Sequence, residues 1–458
     1  MEKRTELPSS FIPKFVEQRR VEEAGDGAIQ TSSVFEIDGR PMAILTDIEN
    51  NSTILSDIPS RLGDEISALI RTDTTPGIQV DLDLGAKVEG YDVFTFPYGP
   101  VSSGIPEAGG FKLITYGERI VKVIPQINFK KRGVERRVID MKPDDALLLI
   151  ERTAGNFSAS YSTCFVTSVE NSLGLEVSSR VRWIRAVALE LERIYNHLYV
   201  FGRLAEAASQ NIATAKANVL RERVLRINAK YFHHRFLFGF NRIGGVNYNL
   251  AKEERRNLSE SIRILTNEFS DLVSYFLSSR IFLDRLQNTA KLPKQDALKL
   301  GTVGPSARGS GIECDDRLAF PIEPYNDIII EIQTDNDEDT MARTLVRIRE
   351  IQSSTLMLEQ LLDRMPSGDT SKTNPSIDAS CASQHTDGGF SFCRIESPSG
   401  DLIHVVQLDE KGRIKMLHIR PSSLVNWIPF ARSLEGNVFP DLQFAFESFG
   451  LSYADSDR

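Results

Sequence analysis

Cysteine and histidine are the residues most able to support metal or redox chemistry. Their spacing in this chain favours neither a metal site nor a redox site. The four cysteines are too far apart for a CxxC site, and the chain is too long to be a small disulfide scaffold, so we read them as reduced and structural. The six histidines include the adjacent pair His233-His234. On a helix these two side chains diverge by about 100° and do not readily share a metal. The cysteines are Cys164, Cys314, Cys381 and Cys393.

A second group of candidate functional residues lies between Glu151 and Glu170. The charged residues Glu151, Arg152 and Glu170 flank a stretch with four serines and a glycine. This composition suits a close-packed loop that enters a helix beside a cavity. By contrast, the glycine-rich stretch from Gly304 to Gly311 lacks the Lys-Ser/Thr ending and the preceding strand of a phosphate loop.

Composition excludes several classes of function. The chain has 458 residues and a net charge of -9, so no basic face is expected to bind nucleic acid. The N-terminus has no apolar core typical of a secretory signal, and no stretch is apolar and long enough to span a bilayer. We therefore expect a soluble cytoplasmic protein or a peripheral subunit that docks on a membrane complex.

Hydrophobic periodicity predicts four long helices that must position these residues. Ser178-Ser179 cap the first, whose apolar residues from Ile184 to Phe201 recur at helical spacing. The others are predicted at Val219 to Phe238, Lys252 to Leu286, and Asp339 to Met365, the last ended by Pro366.

Alternating patterns predict strands at both ends of the chain. A hairpin is predicted across Gly117, a strand pair across Asp38-Gly39-Arg40, and further strands from Phe390 to Ile419. Two domains are expected: an N-terminal appendage over residues 1–85 and a main domain over residues 86–458.

Several motifs in the main domain carry a resemblance to a known family. The frame from Glu151 to Ser162, Glu-Arg-x-x-Gly-x-x-Ser-x-Ser-x-Ser, resembles the first metal-binding motif of the large subunit of nickel–iron hydrogenases. The end, Gly450 to Arg458, resembles the closing Asp-Pro-Cys-x-x-Cys-Thr-Asp-Arg motif. The match is strongest to the energy-converting, membrane-bound branch related to the D-type subunit of respiratory complex I. Similar motifs lie at Arg132–Glu135, Glu190–Leu198, Gly244–Val246, Gly304–Arg317, Glu396–Asp401 and His418–Asn426.

The resemblance implies an α+β fold similar to that of the hydrogenase large subunit. In this fold, small peripheral β-sheets surround a central bundle of long helices. It also implies that residues 1–85 are at most a reduced form of the C-type domain of complex I. The four cysteine positions of the metal site are occupied here by Ala154, Phe157, Ser452 and Asp455. Because nickel and iron need soft thiolates, these residues cannot form that centre. We expect a member of the family without the metal.

The resemblance also implies a vacated cavity and its lining. We expect the lining to comprise Arg132, Glu151, Arg152, Ala154, Phe157, Ser399, Arg420 and Ser452, with Ser399 in place of an arginine of relatives. A candidate proton path comprises Glu135, Tyr161 and Asp455. Loss of the metal charge should raise the proton affinity of Glu135 and Asp455 unless an arginine such as Arg420 compensates. For Glu135, a structural ion pair with Arg132, Arg136 or Arg137 is the alternative.

Three functions stay open at this point. The first is a subunit of an ion-translocating redox complex whose cavity binds an unidentified electron acceptor or couples redox change to proton or ion transfer. The second is quinone reduction as in complex I, although Ser102 and Pro106 replace the expected histidines and Gly155 stands near the expected tyrosine. The third is a scaffold without a redox role.

The first two functions imply the same surroundings. The chain would hold no cofactor of its own. It would dock an iron–sulfur small subunit, similar to the B-type subunit of complex I, and antiporter-like membrane subunits. Its place would be the cytoplasmic face of the cell membrane, as a peripheral subunit.

Overall fold

A computed structural model describes residues 29–37, 40–47, 52–57, 80–82, 88, 90–102, 105–370 and 390–458. At the N-terminal end, three strands form an antiparallel sheet in the order β1-β2-β3. Their bounds are β1 Ile29–Ile37, β2 Arg40–Asp47 and β3 Ser52–Asp57. The predicted strand pair is confirmed, because Ile37 pairs with Arg40. Cys381 lies outside the described residues.

A second antiparallel sheet has the order β4-β7-β6-β5. The predicted hairpin across Gly117 is confirmed, and this glycine has a positive φ of 58°, which suits a tight turn. Phe111, Leu113 and Ile120 are buried beneath the sheet. The strands are β4 Val80–Asp81, β5 Val93–Tyr98, β6 Gly110–Tyr116 and β7 Arg119–Ile127.

Seven helices and a short hairpin follow. The 3-10 turn Gly155–Phe157 precedes α3, and the predicted cap Ser178 accepts a hydrogen bond from the Val181 N–H at the start of α4. The helices are α1 Val134–Arg137, α2 Pro143–Ile150, α3 Ser158–Ser172, α4 Ser179–Ala207, α5 Asn211–Phe232, α6 Lys252–Leu277 and α7 Arg280–Leu286. Between α5 and α6 lie β8 Asn241–Arg242 and β9 Gly245–Val246.

Two predicted helices differ from those observed. The second ends at His233, whose φ of 58° is left-handed and stops the helix before Phe238. The third is divided at Ser278 and Ser279, where the backbone of Ser279 is extended. Serine favours helix ends because its side chain competes for backbone hydrogen bonds.

The fourth predicted helix is confirmed as α11 and three short helices precede it. Asp339 caps α11 by accepting a 2.9 Å hydrogen bond from the Ala342 N–H. A third sheet, in the order β10-β11-β12, and three helices complete the chain. The elements are α8 Lys294–Lys299, α9 Gly304–Arg308, α10 Asp316–Ala319, α11 Thr340–Arg364, β10 Phe390–Ser397, β11 Gly400–Leu408, β12 Ile414–Arg420, α12 Ser422–Ser433, α13 Leu442–Phe449 and α14 Tyr453–Ser456.

Helix α4 is the centre of the molecule. It packs against α5, α11 and α13, while α3 lies against both α4 and the β10–β11 hairpin. Buried ion pairs join these layers, including Arg185 with Glu170 at 2.6 Å and Arg317 with Glu190 at 3.2 Å. This arrangement is the predicted α+β fold. Among the described residues, no helix combines the length and apolarity needed to cross a bilayer.

Candidate functional site

The start of α3 is held against α4 by one buried carboxylate. Glu192 accepts hydrogen bonds from the backbone N–H groups of Ala159, at 2.7 Å, and Ser160, at 2.9 Å. The Ser160 hydroxyl also donates to it. These donors lie in the first turn of α3, where N–H groups lack partners within the helix. Glu192 therefore fixes the segment that follows Ala154 and Phe157.

The C-terminal motif folds back onto this segment. The Tyr161 hydroxyl donates a 2.6 Å hydrogen bond to Asp455, although 294 residues separate them. Asp455 also accepts from the Ser423 N–H at 3.2 Å. Burial raises the pKa of Asp455, and these two hydrogen bonds offset part of the rise. The expected increase in the proton affinity of Asp455 is thus present.

A close contact with Gly109 positions the same motif. The Tyr453 ring lies so near Gly109 that a Cβ atom there would stand 2.0 Å from it. The Tyr453 hydroxyl donates to the Gly110 carbonyl at 3.1 Å. Only glycine permits this approach between the sheet and α14.

A cavity lies where the two motifs meet, and its volume is about 30 Å³. A buried water needs roughly 10–15 Å³, so the cavity can hold about two. Three of the expected lining residues, Phe157, Ser399 and Ser452, are in its wall. The wall also includes Ile105, Pro106, Glu107, Asn156, Asn196, Tyr199, Val200, Arg347, Phe446, Glu447, Gly450 and Leu451.

The other expected lining residues lie around this cavity and are absent from its wall. Arg132 donates hydrogen bonds to the carbonyls of Arg152, Thr153 and Ala454, and so ties the two motifs together. Glu151 is buried, pairs with Arg152 and accepts a 2.8 Å bond from the Gly239 N–H. The backbone around Ala154, which is also buried, forms the turn that leads into α3.

Arg420 pairs with Asp401 and not with Glu135. Its guanidinium donates to Asp401 at 2.6 Å. The partner of Glu135 is Arg458, at 3.1 Å, rather than Arg132, Arg136 or Arg137. Thus the C-terminal residue supplies the compensating charge.

The rise in the proton affinity of Glu135 does not occur, because an arginine compensates for burial, and that arginine is Arg458 rather than Arg420. Burial alone would raise its pKa, but Arg458, a hydrogen bond with His418 and the Ile419 N–H outweigh burial and lower the pKa to about 2. Glu135 is therefore ionised at neutral pH. Its place on a proton path stays a prediction.

The residues that the resemblance predicts at the four thiolate positions do not fit a nickel–iron centre. Ala154 and Phe157 offer only carbon atoms, and the Ser452 hydroxyl is hydrogen-bonded to Glu107 at 2.9 Å. Asp455 is engaged by Tyr161. Among the described residues, no group of three or more His, Cys, Asp or Glu side chains is arranged to hold a metal ion.

Sequence reasoning did not identify Glu107, Tyr199, Arg347 and Glu447 as cavity residues. These four come from a loop, α4, α11 and α13, and no local pattern links them. One signal was available for Glu447, because it is the one acid within the largely apolar run Phe444-Ala445-Phe446-Glu447-Ser448-Phe449.

Comparison with known proteins agrees with the fold and motifs. Residues 213–458 match the family described as the 49 kDa subunit of respiratory-chain NADH dehydrogenase. The chain belongs to this family. It is 32% identical over 372 residues to the membrane-bound hydrogenase subunit alpha of Pyrococcus furiosus, a match that covers 79% of this chain and 87% of the relative.

Two further relatives extend this family assignment. A D-type subunit of NADH-quinone oxidoreductase from Chloroherpeton thalassium is 27% identical over 361 residues, 75% of this chain and 82% of the relative. A chain of an archaeal respiratory complex, the membrane-bound sulfane sulfur reductase, shares the fold with a TM-score of 0.74 at 24% identity. That match covers 80% of this chain and 99% of the other. The resemblance to the hydrogenase large subunit and the D-type subunit of complex I is thus confirmed, and relatives of this chain are subunits of membrane-bound respiratory complexes.

Proposed function

We propose that this chain is the large, hydrogenase-type subunit of a membrane-bound, ion-translocating redox complex, works without a nickel–iron centre, and binds an electron acceptor in its cavity. The observation that carries the proposal is the position of the cavity, whose wall includes Phe157 and Ser452, two of the four residues at thiolate positions. In the proposed function, the space beside Phe157 and Ser452 takes the acceptor in place of a metal.

The cavity size favours a slender acceptor over a quinone ring. A space for about two waters accepts the terminal atoms of a linear molecule, such as a chain of sulfur atoms, more easily than an aromatic head group. Reduction of quinone is therefore the second candidate. A role limited to coupling, or a scaffold without redox chemistry, would leave the cavity without a ligand.

The proposal includes the surroundings of the chain. An iron–sulfur small subunit would bring electrons to the cavity, and antiporter-like membrane subunits would move ions. The chain would hold no cofactor and would sit as a peripheral subunit on the cytoplasmic face of the membrane. The family membership supports this assembly.

Filling the cavity tests the proposal. Val200 lines the cavity, whereas Val224 is equally apolar, buried on α5 and outside the cavity wall. In the complex purified from membranes, Val200→Phe should lower turnover by tenfold or more, about 1.4 kcal/mol of transition-state free energy, while Val224→Phe serves as the control for overpacking. Reduced methyl viologen is the electron donor, and dimethyl trisulfide or a short-chain quinone the acceptor. Undiminished turnover in Val200→Phe would exclude the cavity as the acceptor site.

A further inference from the structure

Glu447 is a buried acid whose role nothing above assigns. Its side chain lies in the cavity wall, and only 5% of the residue is exposed. Apart from Ser448, the neighbouring residues of α13 that are buried with it are apolar: Phe444, Ala445, Phe446 and Phe449. A carboxyl group in such surroundings costs free energy unless it is paired or protonated. Its presence on the cavity side of α13 therefore needs an explanation.

Arg203 connects Glu447 to the protein surface. One carboxyl oxygen of Glu447 accepts hydrogen bonds from Arg203 Nε, at 3.0 Å, and from Nη2, at 2.7 Å. The Nη1 atom of Arg203 donates to Glu206 at 2.6 Å, and the Glu206 side chain is 55% exposed. Three charged groups thus run from solvent, along the last turns of α4, to the cavity wall.

Charged and titratable groups from α4, α11 and the loop before β6 surround Glu447. Helix α4 contributes Arg203, Glu206 and Tyr199, the loop before β6 contributes Glu107, and α11 contributes Arg347. Burial raises the pKa of Glu447 to about 7, since the lowering by Arg203 is partly opposed by the negative charges of Glu206 and Glu107. At neutral pH the group is therefore present in both protonated and ionised forms.

We infer that Glu447 is the proton donor of the cavity. This inference rests on the proposed function, because it needs an acceptor in the cavity. In the proposed function, the iron–sulfur cluster of the partner subunit would supply the electrons. In each step the acceptor takes one electron from the partner and one proton from Glu447, whose Oε–H bond breaks as the bond from that proton to the acceptor forms. Two such steps, with Glu447 reprotonated between them, convert a sulfur–sulfur bond into two S–H groups or a quinone into a quinol. The carboxylate that results is paired with Arg203, and it regains a proton through water in the cavity, which has room for about two molecules.

A purely structural role predicts different behaviour. In that case the ion pair between Glu447 and Arg203 would only anchor α13 to α4, and the charge of Glu447 would not change near neutral pH. The two roles differ in whether the group titrates in the assembled protein and whether that titration appears in turnover.

The test is a titration of the purified complex by infrared pH-difference spectroscopy, which needs no acceptor. A carboxyl signal with a midpoint near the pKa of about 7 should have a smaller amplitude in Glu447→Gln than in the wild type, and the part that remains is expected from Glu192, whose pKa burial also raises to about 7. Glu222→Gln is the matched control, since Glu222 pairs with Arg226 and Arg235 but lies on the exposed face of α5. Its variant should keep the signal.

Turnover provides the second measurement. With reduced methyl viologen and dimethyl trisulfide, Glu447→Gln should lose roughly a hundredfold in rate and the pH dependence near neutrality, while Glu222→Gln keeps both. If Glu447→Gln does not assemble, Glu206→Gln decides, because removing a nearby negative charge should lower the midpoint of the carboxyl signal.

The outcomes separate this inference from the proposed function. An undiminished carboxyl signal in Glu447→Gln, an unchanged midpoint in Glu206→Gln, or an unchanged pH profile of turnover in Glu447→Gln would overturn the role of Glu447. If Val200→Phe also loses turnover, the proposal that the cavity is the acceptor site still holds, and only the role of Glu447 as proton donor is excluded.

Discussion

Glu135 is held by Arg458, His418 and the Ile419 N–H, and this arrangement makes its stabilisation dependent on pH. Its folded pKa of about 2 lies below the unfolded value, so its contribution to the free energy of unfolding is present above about pH 4.5 and is lost as the pH falls towards 2. A shift of this size corresponds to about 3 kcal/mol. Glu135→Gln should therefore destabilise the protein at pH 7 but make little difference near pH 2.

Thermal unfolding of the assembled complex at several pH values measures this difference. An equal destabilisation by Glu135→Gln across the whole range would show that the charge of Glu135 is not the cause. Normal ion pumping by the Glu135→Gln complex would, separately, exclude the predicted proton path through this residue.

The Tyr161 hydroxyl donates a hydrogen bond to the buried Asp455 carboxyl group, so removing this hydroxyl should lower the stability of the protein. Tyr161→Phe leaves a buried acceptor without its 2.6 Å donor and should cost about 1–3 kcal/mol. Tyr231→Phe is the control, because the buried Tyr231 hydroxyl has no hydrogen-bond partner among the described residues. Chemical denaturation should separate the two variants, and equal stabilities would contradict the importance of the Tyr161–Asp455 bond.

At the scale of elements, the contact between β6 and α14 depends on Gly109. The Cβ atom of Gly109→Ala would meet the Tyr453 ring at 2.0 Å, so the C-terminal motif must shift and the cavity must change shape. We expect a loss of more than about 2 kcal/mol in stability, in line with overpacked cores. Gly202→Ala, on α4, meets only ordinary contacts near 3.4 Å and should be neutral or stabilising. Similar unfolding midpoints for the two variants would show that Tyr453 moves without cost.

The positions of the long helices can be predicted from the sequence, but a break within one of them cannot. Apolar periodicity located α4 and α11, because each has one continuous buried stripe and a capping residue, Ser178 or Asp339. The break after Leu277 was missed, since the apolar spacing continues through it and only the backbone of Ser279 departs from the helix.

The site was harder to predict than the helices, because some of its ion pairs join residues that are far apart in the sequence. Motif frames brought Tyr161 and Asp455 into the same region, and the structure joins them directly. The partners Arg458 and Arg203, in contrast, act through single pairs with Glu135 and Glu447, hundreds of residues away. An isolated long-range pair leaves no periodic signal in one sequence.

For the whole molecule, exposed apolar residues indicate a dependence on partner subunits. Around the edge strand β5 lie Tyr91, Phe94, Val101 and Tyr116, which are 93%, 63%, 89% and 57% exposed. Such clusters are typical of interaction surfaces. The chain expressed alone should aggregate, and co-expression with the proposed iron–sulfur small subunit should give a monodisperse complex by light scattering. A stable monomer with no affinity for that small subunit would count against this dependence.

The proposed function needs a hydrogenase-type fold that works without its metal, and the nickel content of the protein decides whether it does. Iron is uninformative in the complex, because a partner subunit is proposed to carry iron–sulfur clusters, whereas nickel would belong to the site between Ala154, Phe157, Ser452 and Asp455. Elemental analysis of the complex purified from cells grown with added nickel should give far less than one nickel per chain, and reduced methyl viologen should produce no hydrogen. Near-stoichiometric nickel would rule out the proposed function without a nickel–iron centre, because these four side chains cannot bind nickel as thiolates do.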